Sequence, residues 1–131
     1  MHVLWLKTEL LHPLDKGGKI RTFHMLRGFR GHAHVTYLTL DDGTAAPDAR
    51  VSAREYCDEL ITVPFSPPVK GTPAYYAALL RNLASRLPYA VARYRSPAMR
   101  DAIARAVRQR RVDLVVCDFL VPAVNVPVGL G

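Results

Sequence analysis

The chain has 131 residues, half of them hydrophobic, which is enough for the packed core of one domain without disulfides or a structural metal. Eighteen basic side chains against eleven acidic ones give a formal charge of +7 at pH 7, which favours phosphorylated ligands, anionic membranes or nucleic acid as partners. The two cysteines, Cys57 and Cys117, have neither CxxC nor Cys/His spacing, so we expect no disulfide framework and no zinc site, and a reducing, cytoplasmic location. No signal peptide is indicated, and no apolar run approaches the ~20 residues of a membrane span.

Short apolar runs, typical of parallel strands buried on both faces, alternate with segments whose apolar residues recur at helical spacing. The predicted strands are residues 3–6, 35–40, 59–63 and 112–117. The predicted helices are residues 18–29 and 47–58, then two apolar stripes, Tyr76, Leu79, Leu80, Leu83 and Leu87 in one and Met99, Ile103, Ala106 and Val107 in the other. This alternation predicts an α/β fold: a Rossmann-like three-layer α/β/α domain with a mostly parallel sheet.

The first strand-to-helix turn carries the sequence Lys16-Gly17-Gly18-Lys19. In an open parallel sheet, ligands bind outside the carboxyl ends of the strands, and this turn is the usual phosphate site. Gly17 and Gly18 let the backbone approach an anion, and the helix start offers free N–H groups and the positive end of its dipole. Lys16, Lys19 and Arg21 add positive charge, so we expect these five residues to bind a diphosphate. The alternative is a relaxed turn with solvated lysines.

Other nucleotide and metal motifs fit less well. Asp41 ends the second strand where the ribose-binding acid of a dinucleotide site would lie, but the glycine spacing is not GxGxxG and the loop of about ten residues is too long for that turn. A P-loop, GxxxxGK(S/T), is not present. Asp41-Asp42-Gly43 is expected to end a strand rather than act as a metal-binding DxD. The five histidines form no HxxxH or HExxH group, and no metal site is predicted.

The run Leu11–Arg21, followed by Leu26 and then Gly31–Thr36, resembles the N-terminal domain of family-4 glycosyltransferases with the GT-B fold. It looks especially like the bacterial sugar transferases associated with exopolysaccharide and protein-sorting gene clusters. The resemblance covers the chain in its order of elements, and its motif content rests mainly on the Gly-Gly turn.

This resemblance implies a metal-independent enzyme that transfers sugar from a nucleotide-sugar donor to a glycan or lipid-linked acceptor with retention of anomeric configuration. It places Gly17 and Gly18 against the donor diphosphate. A family histidine commonly follows the fourth strand near the donor sugar; the corresponding position here is Asp118, whose carboxylate would bind a sugar hydroxyl or instead cap the next turn. The family's acidic pair and nucleotide pocket belong to a second, C-terminal domain. We therefore expect residues 1–131 to be the acceptor-side half, truncated or separately made, and inactive alone.

Fourteen of the basic residues are arginines, and many lie in the second half of the chain. The group comprises Arg81, Arg86, Arg93, Arg95, Arg100, Arg105, Arg108, Arg110 and Arg111. We interpret these arginines as the solvated outer face of core-packing helices, with peripheral contact to an anionic membrane as the alternative. Tyr75, Tyr76, Tyr89 and Tyr94 are interpreted as core or rim packing, with sugar stacking or a membrane interface as alternatives.

Nucleic acid is not expected as a partner, because the chain has no helix-turn-helix, RNP or zinc-finger pattern. A second hypothesis for the whole chain is a non-catalytic basic α/β module that binds an anionic partner, either a membrane surface or a nucleotide.

Overall fold

A computed structural model describes residues 1–129; the last two residues of the predicted domain, Leu130 and Gly131, lie outside the described residues. Four strands form one parallel sheet with the order β3-β2-β1-β4. The strands are β1 (His2–Lys7), β2 (His34–Asp41), β3 (Glu59–Pro64) and β4 (Leu114–Cys117). The helices are α1 (Gly17–Phe29), α2 (Ala49–Ser52), α3 (Pro73–Asn82), α4 (Tyr89–Ala92) and α5 (Pro97–Arg110), with 3₁₀ turns at Ala53–Glu55 and Pro122–Asn125. The predicted Rossmann-like α/β fold is confirmed.

Side chains of β1 alternate between the two faces of the sheet and divide the core into two layers. Val3 and Trp5 belong to a buried cluster that includes Leu26 of α1. Leu4 and Leu6 belong to a second cluster on the opposite face, which includes Ile103 of α5. Helices thus cover both faces of the sheet, and within residues 1–129 no helix is long and apolar enough to cross a bilayer.

The order in which strands are added to the sheet reverses at β1. From β1 the chain passes through α1 to β2 and then to β3 on one side; α3 to α5 then carry it back to β4 on the other side of β1. The carboxyl ends of β1 and β4 therefore border the crevice at which open α/β sheets bind ligands.

The helix predicted over 47–58 is wrong in length. Its place is taken by α2 and the 3₁₀ turn that follows, because Tyr56 leaves the helical conformation, with φ −128° and ψ −10°, and its ring is fully buried in the core. Asp58 then joins β2: its N–H donates to the Val35 carbonyl at 2.9 Å, and its carboxylate accepts from the Val35 N–H at 2.7 Å. These bonds fix the chain in register for β3.

The apolar stripe predicted on α3 does not pack against the sheet. No residue of α3 is buried, and Tyr76 and Leu80 are exposed. By contrast, the stripe predicted on α5 is confirmed as core, since Met99 and Ile103 are fully buried. The periodicity is similar in the two helices, but only α5 lies against the sheet.

Helix α5 ends at Arg110 and is followed by Arg111, which adopts the left-handed conformation with φ 46° and ψ 58°. A Cβ is unfavourable there, so Arg111→Gly should raise the free energy of unfolding by about 1 kcal/mol. Arg108→Gly also removes an arginine side chain, but from a helical position in the last turn of α5, and it should lower the free energy of unfolding by about 1 kcal/mol. Urea unfolding of both variants checks the prediction, and a loss of stability in Arg111→Gly would contradict it.

Candidate functional site

Asp118 follows β4 directly and is almost completely buried at the β1/β4 crevice, with 5% of its surface exposed. Its N–H donates to the Leu6 carbonyl at 2.9 Å, so the backbone pairing of β4 with β1 continues through this residue. Its Oδ2 accepts hydrogen bonds from Lys7 Nζ at 2.6 Å, from the Thr22 hydroxyl, and from Trp5 Nε1 at 3.4 Å. One carboxylate therefore joins β4 to β1 and to α1.

Lys7 supplies the positive charge of this buried pair. It occupies the last position of β1, on the face shared with Trp5 and α1, and only 3% of its surface is exposed. Its Nζ also donates to Thr22 Oγ1 at 3.0 Å. A buried ammonium and a buried carboxylate are each costly alone, and this arrangement neutralises both within one hydrogen-bonded cluster.

Opposing effects act on the pKa of Asp118. Burial raises this pKa, but hydrogen bonds from Lys7 and Thr22, together with the Lys7 charge, outweigh burial and hold the pKa below its ordinary value. The carboxylate is therefore ionised at neutral pH, as a partner for the lysine.

Phe119 and Arg21 form the outer side of the cluster. Arg21 Nη2 donates to Asp118 Oδ1 at 2.7 Å, so both carboxylate oxygens have partners. The ring of Phe119, whose backbone has φ 71°, lies 4.8 Å from Lys7 Nζ and 4.6 Å from the Arg21 guanidinium carbon. A Cβ at Gly18 would stand 3.5 Å from the same ring, in ordinary contact. The aromatic ring thus covers the buried pair beside the start of α1.

The start of α1 is open. Lys16 is its N-cap residue, with no side-chain capping bond, and no acid occupies the first turn. The Ile20 N–H donates to the Lys16 carbonyl at 3.0 Å, whereas the N–H groups of residues 17–19 have no acceptor in the described part of the chain. Nothing lies within 4 Å of the position that a Cβ on Gly17 would take. Free N–H groups and the positive end of the helix dipole therefore face an approachable surface.

The three basic residues predicted to bind the diphosphate have acidic partners and do not all lie on one side of the glycine turn. Lys19 is buried, and its Nζ lies 3.1 Å from Asp15 Oδ1 and 3.8 Å from Glu9 Oε2, where it holds the loop after β1. Its hydrogen bond also holds the pKa of Asp15 below the ordinary value. Lys16 Nζ lies 3.7 Å from Glu9 and remains exposed. Arg21 lies instead on the Asp118 side, so the structure divides the predicted cations between two sides of the glycine turn.

A cavity of about 430 Å³ adjoins this turn, between the loops after β1 and β2. Its lining is polar and carries both signs of charge, with Glu9, His12, Asp15, Lys16, Asp41 and Asp42 among its residues. His12 Nδ1 is buried and has no hydrogen-bond partner in the described part of the chain. The cavity can therefore offer carboxylate and imidazole groups to a polar ligand.

The Asp41-Asp42-Gly43 turn ends β2, as the sequence predicted. Asp41 accepts from Arg50 at 2.5 Å and from the Gly43 N–H at 2.9 Å. The bond from Arg50 holds the pKa of Asp41 below its ordinary value. This acidic turn is fixed by its own hydrogen bonds.

The sequence named Gly17, Gly18 and Asp118 as candidates, and they stay predictions; it did not name Lys7 and Thr22, which bond to Asp118. A charge at the end of an otherwise apolar buried strand is the signal for Lys7, because burial of that charge requires a partner. Neither residue belongs to a recognisable motif. Comparisons with family models, with curated proteins and with solved structures give no match to this chain.

Removing the buried carboxylate should destabilise the fold. Asp118→Ala leaves the Lys7 ammonium buried without a counter-charge, so we expect the free energy of unfolding to fall by about 3–5 kcal/mol. Urea unfolding measures it, with Asp101→Ala on the exposed face of α5 as the matched control. The double variant Lys7→Met/Asp118→Leu removes both charges and should recover most of the loss. A loss no larger than that of Asp101→Ala would contradict the prediction.

The same pair should make stability depend on acid pH. The pKa of Asp118 in the fold lies below its unfolded value of about 4, so its stabilisation is fully present above about pH 4 and is lost as the pH falls through the folded pKa. Urea unfolding between neutral pH and about pH 2 should show a shallower decline in Lys7→Met/Asp118→Leu than in the natural chain. Equal slopes would show that Asp118 does not contribute.

Proposed function

We propose that this chain is the acceptor-side domain of a GT-B-type glycosyltransferase, and that the start of α1 binds the diphosphate of its nucleotide-sugar donor. The observation that carries the proposal is the open helix start, where Gly17 has free space in front of it and three N–H groups have no acceptor in the described residues. Its place beside the β1/β4 crevice supports it further, because open α/β sheets bind nucleotides there.

Two cations remain available to the donor. The Arg21 side chain is 53% exposed and uses Nη2 for Asp118, which leaves other N–H donors of its guanidinium for a phosphate. The Lys16 side chain is 65% exposed. Negative charge develops on the departing diphosphate during sugar transfer, so fixed helix N–H groups and Arg21 would stabilise the transition state.

In this proposal Asp118 is a positioning residue. Its carboxylate is nearly enclosed and both oxygens are bonded, so contact with a sugar hydroxyl would require the existing bonds to break. Its bond to Arg21 instead sets the direction of the guanidinium toward the crevice. Lys7 maintains Asp118 in its ionised form, which strengthens that bond.

The acceptor would bind in the neighbouring cavity of about 430 Å³. Glu9 and His12, which both line this cavity, suit a glycan, because carboxylates and imidazole bind sugar hydroxyls. The acidic pair and the nucleoside pocket would come from a second domain, and metal-independent transfer with retention would belong to the two domains together. We assign the enzyme to a reducing, cytoplasmic compartment, in keeping with Cys57 and Cys117, which are both free.

The two open glycines of α1 provide a matched test of donor binding. Gly17→Ala places a methyl group in front of the free N–H groups and should weaken the binding of UDP- and GDP-sugars at least about tenfold, without loss of stability. Gly28→Ala lies in the same helix with equally open surroundings and should leave the affinity unchanged. Calorimetry measures affinity and urea unfolding measures stability. Equal affinities in the two variants would contradict the assigned site.

Sugar transfer is then measured with the protein encoded by the natural reading frame that contains this chain. Transfer that is lost in Gly17→Ala and retained in Gly28→Ala would support the glycosyltransferase. Absence of both donor binding and transfer in the natural protein would overturn it in favour of the non-catalytic basic module.

A further inference from the structure

Helix α3 presents a row of large apolar side chains to solvent. Tyr76, Leu80 and Leu83 are spaced at i, i+4 and i+7 and are 57%, 68% and 82% exposed. Val69, just before the helix, is 70% exposed. Apolar groups clustered in this way on one surface indicate an interaction site rather than ordinary scattered exposure.

The same segment carries nearly all of the net charge. Residues 60–100 contain six basic side chains and no acidic one: Lys70, Arg81, Arg86, Arg93, Arg95 and Arg100. The other residues carry twelve basic and eleven acidic side chains. Within residues 1–129 none of the six forms an ion pair. This charge is therefore free to meet an anionic partner.

A groove of about 480 Å³ lies between α3 and α4. Three arginines, Arg81, Arg93 and Arg95, contribute to its lining. Two buried atoms of its lining residues, Tyr89 Oη and Arg93 Nε, have no hydrogen-bond partner among the described residues. A buried donor without an acceptor is unfavourable, and a phosphate oxygen in the groove would correct this.

We propose that residues 69–95 form a docking surface for an anionic phospholipid bilayer. Leu80 and Leu83 enter the boundary between headgroups and acyl chains, while the arginines of the α3–α4 groove bind a lipid phosphate. Exposed leucines beside the arginines favour a bilayer over RNA, whose bases stack on aromatic rings. A second copy is disfavoured, since two surfaces with this excess of positive charge repel each other. Docking is independent of sugar transfer.

Vesicle cosedimentation tests this surface with two matched pairs of variants. The natural chain should bind vesicles containing phosphatidylglycerol, in a salt-sensitive way, and not pure phosphatidylcholine. Leu80→Ser/Leu83→Ser should weaken binding at least about tenfold, whereas Val51→Ser/Val128→Ser, which are exposed elsewhere, should not. Arg81→Gln/Arg93→Gln should weaken binding more than Arg105→Gln/Arg108→Gln, which removes equal charge from α5.

Three results would overturn the proposal. One is the absence of binding to anionic vesicles by the natural chain. Another is equal weakening by the surface variants and by their controls, which would indicate attraction by overall charge alone. The third is tight binding of inorganic phosphate, an RNA oligonucleotide or an acidic peptide without vesicle binding, which would assign the groove to that ligand. Circular dichroism establishes that each variant is folded.

Discussion

The buried pair of Lys7 and Asp118 is the constraint on which the carboxyl edge of the sheet depends. An ammonium and a carboxylate can be enclosed together only when their charges cancel and their hydrogen-bonding groups have partners. Thr22 provides one such partner, and it anchors α1 to both strands. The backbone at Phe119 then turns left-handed, and its ring covers the pair. One neutralised ion pair therefore joins β1, β4 and α1 at this edge of the sheet.

The net charge of +7 is unevenly distributed, because some basic side chains form ion pairs and others do not. The basic residues near the glycine turn have acidic partners, so that edge is close to neutral despite its lysines. The excess remains in residues 60–100, where no acid is available. Net charge favours anionic partners in general, and ion pairing determines which surface keeps charge for them.

The strands and α1 could be predicted because a short apolar run or a helical stripe is a local property of the sequence. The exposure of α3 could not be predicted. The apolar stripe of Tyr76 and Leu80 indicates that the helix is amphipathic, but it does not indicate which surface covers that stripe. The pairing of Lys7 with Asp118 could not be predicted from the sequence either. The two residues are 111 positions apart, and only the parallel register of β1 and β4 brings them together. Tyr56 ended the second helix for a tertiary reason, burial of its ring, that overrode local propensity.

The two proposed anion-binding surfaces would work by different physics. At the start of α1 the attraction would come from fixed N–H groups and a helix dipole close to the ligand, beside Lys16 and Arg21, which have acidic partners but exposed side chains. Direct N–H···O bonds act over a short range, and their preorganisation favours a transition state with developing charge. Around α3 and α4 the attraction would come from side-chain charges that form no ion pair within residues 1–129, and salt screens such exposed charges strongly. The first surface would thus depend on oriented backbone N–H groups and the second on side-chain charge and apolar insertion, so substitutions at one would leave the other unchanged.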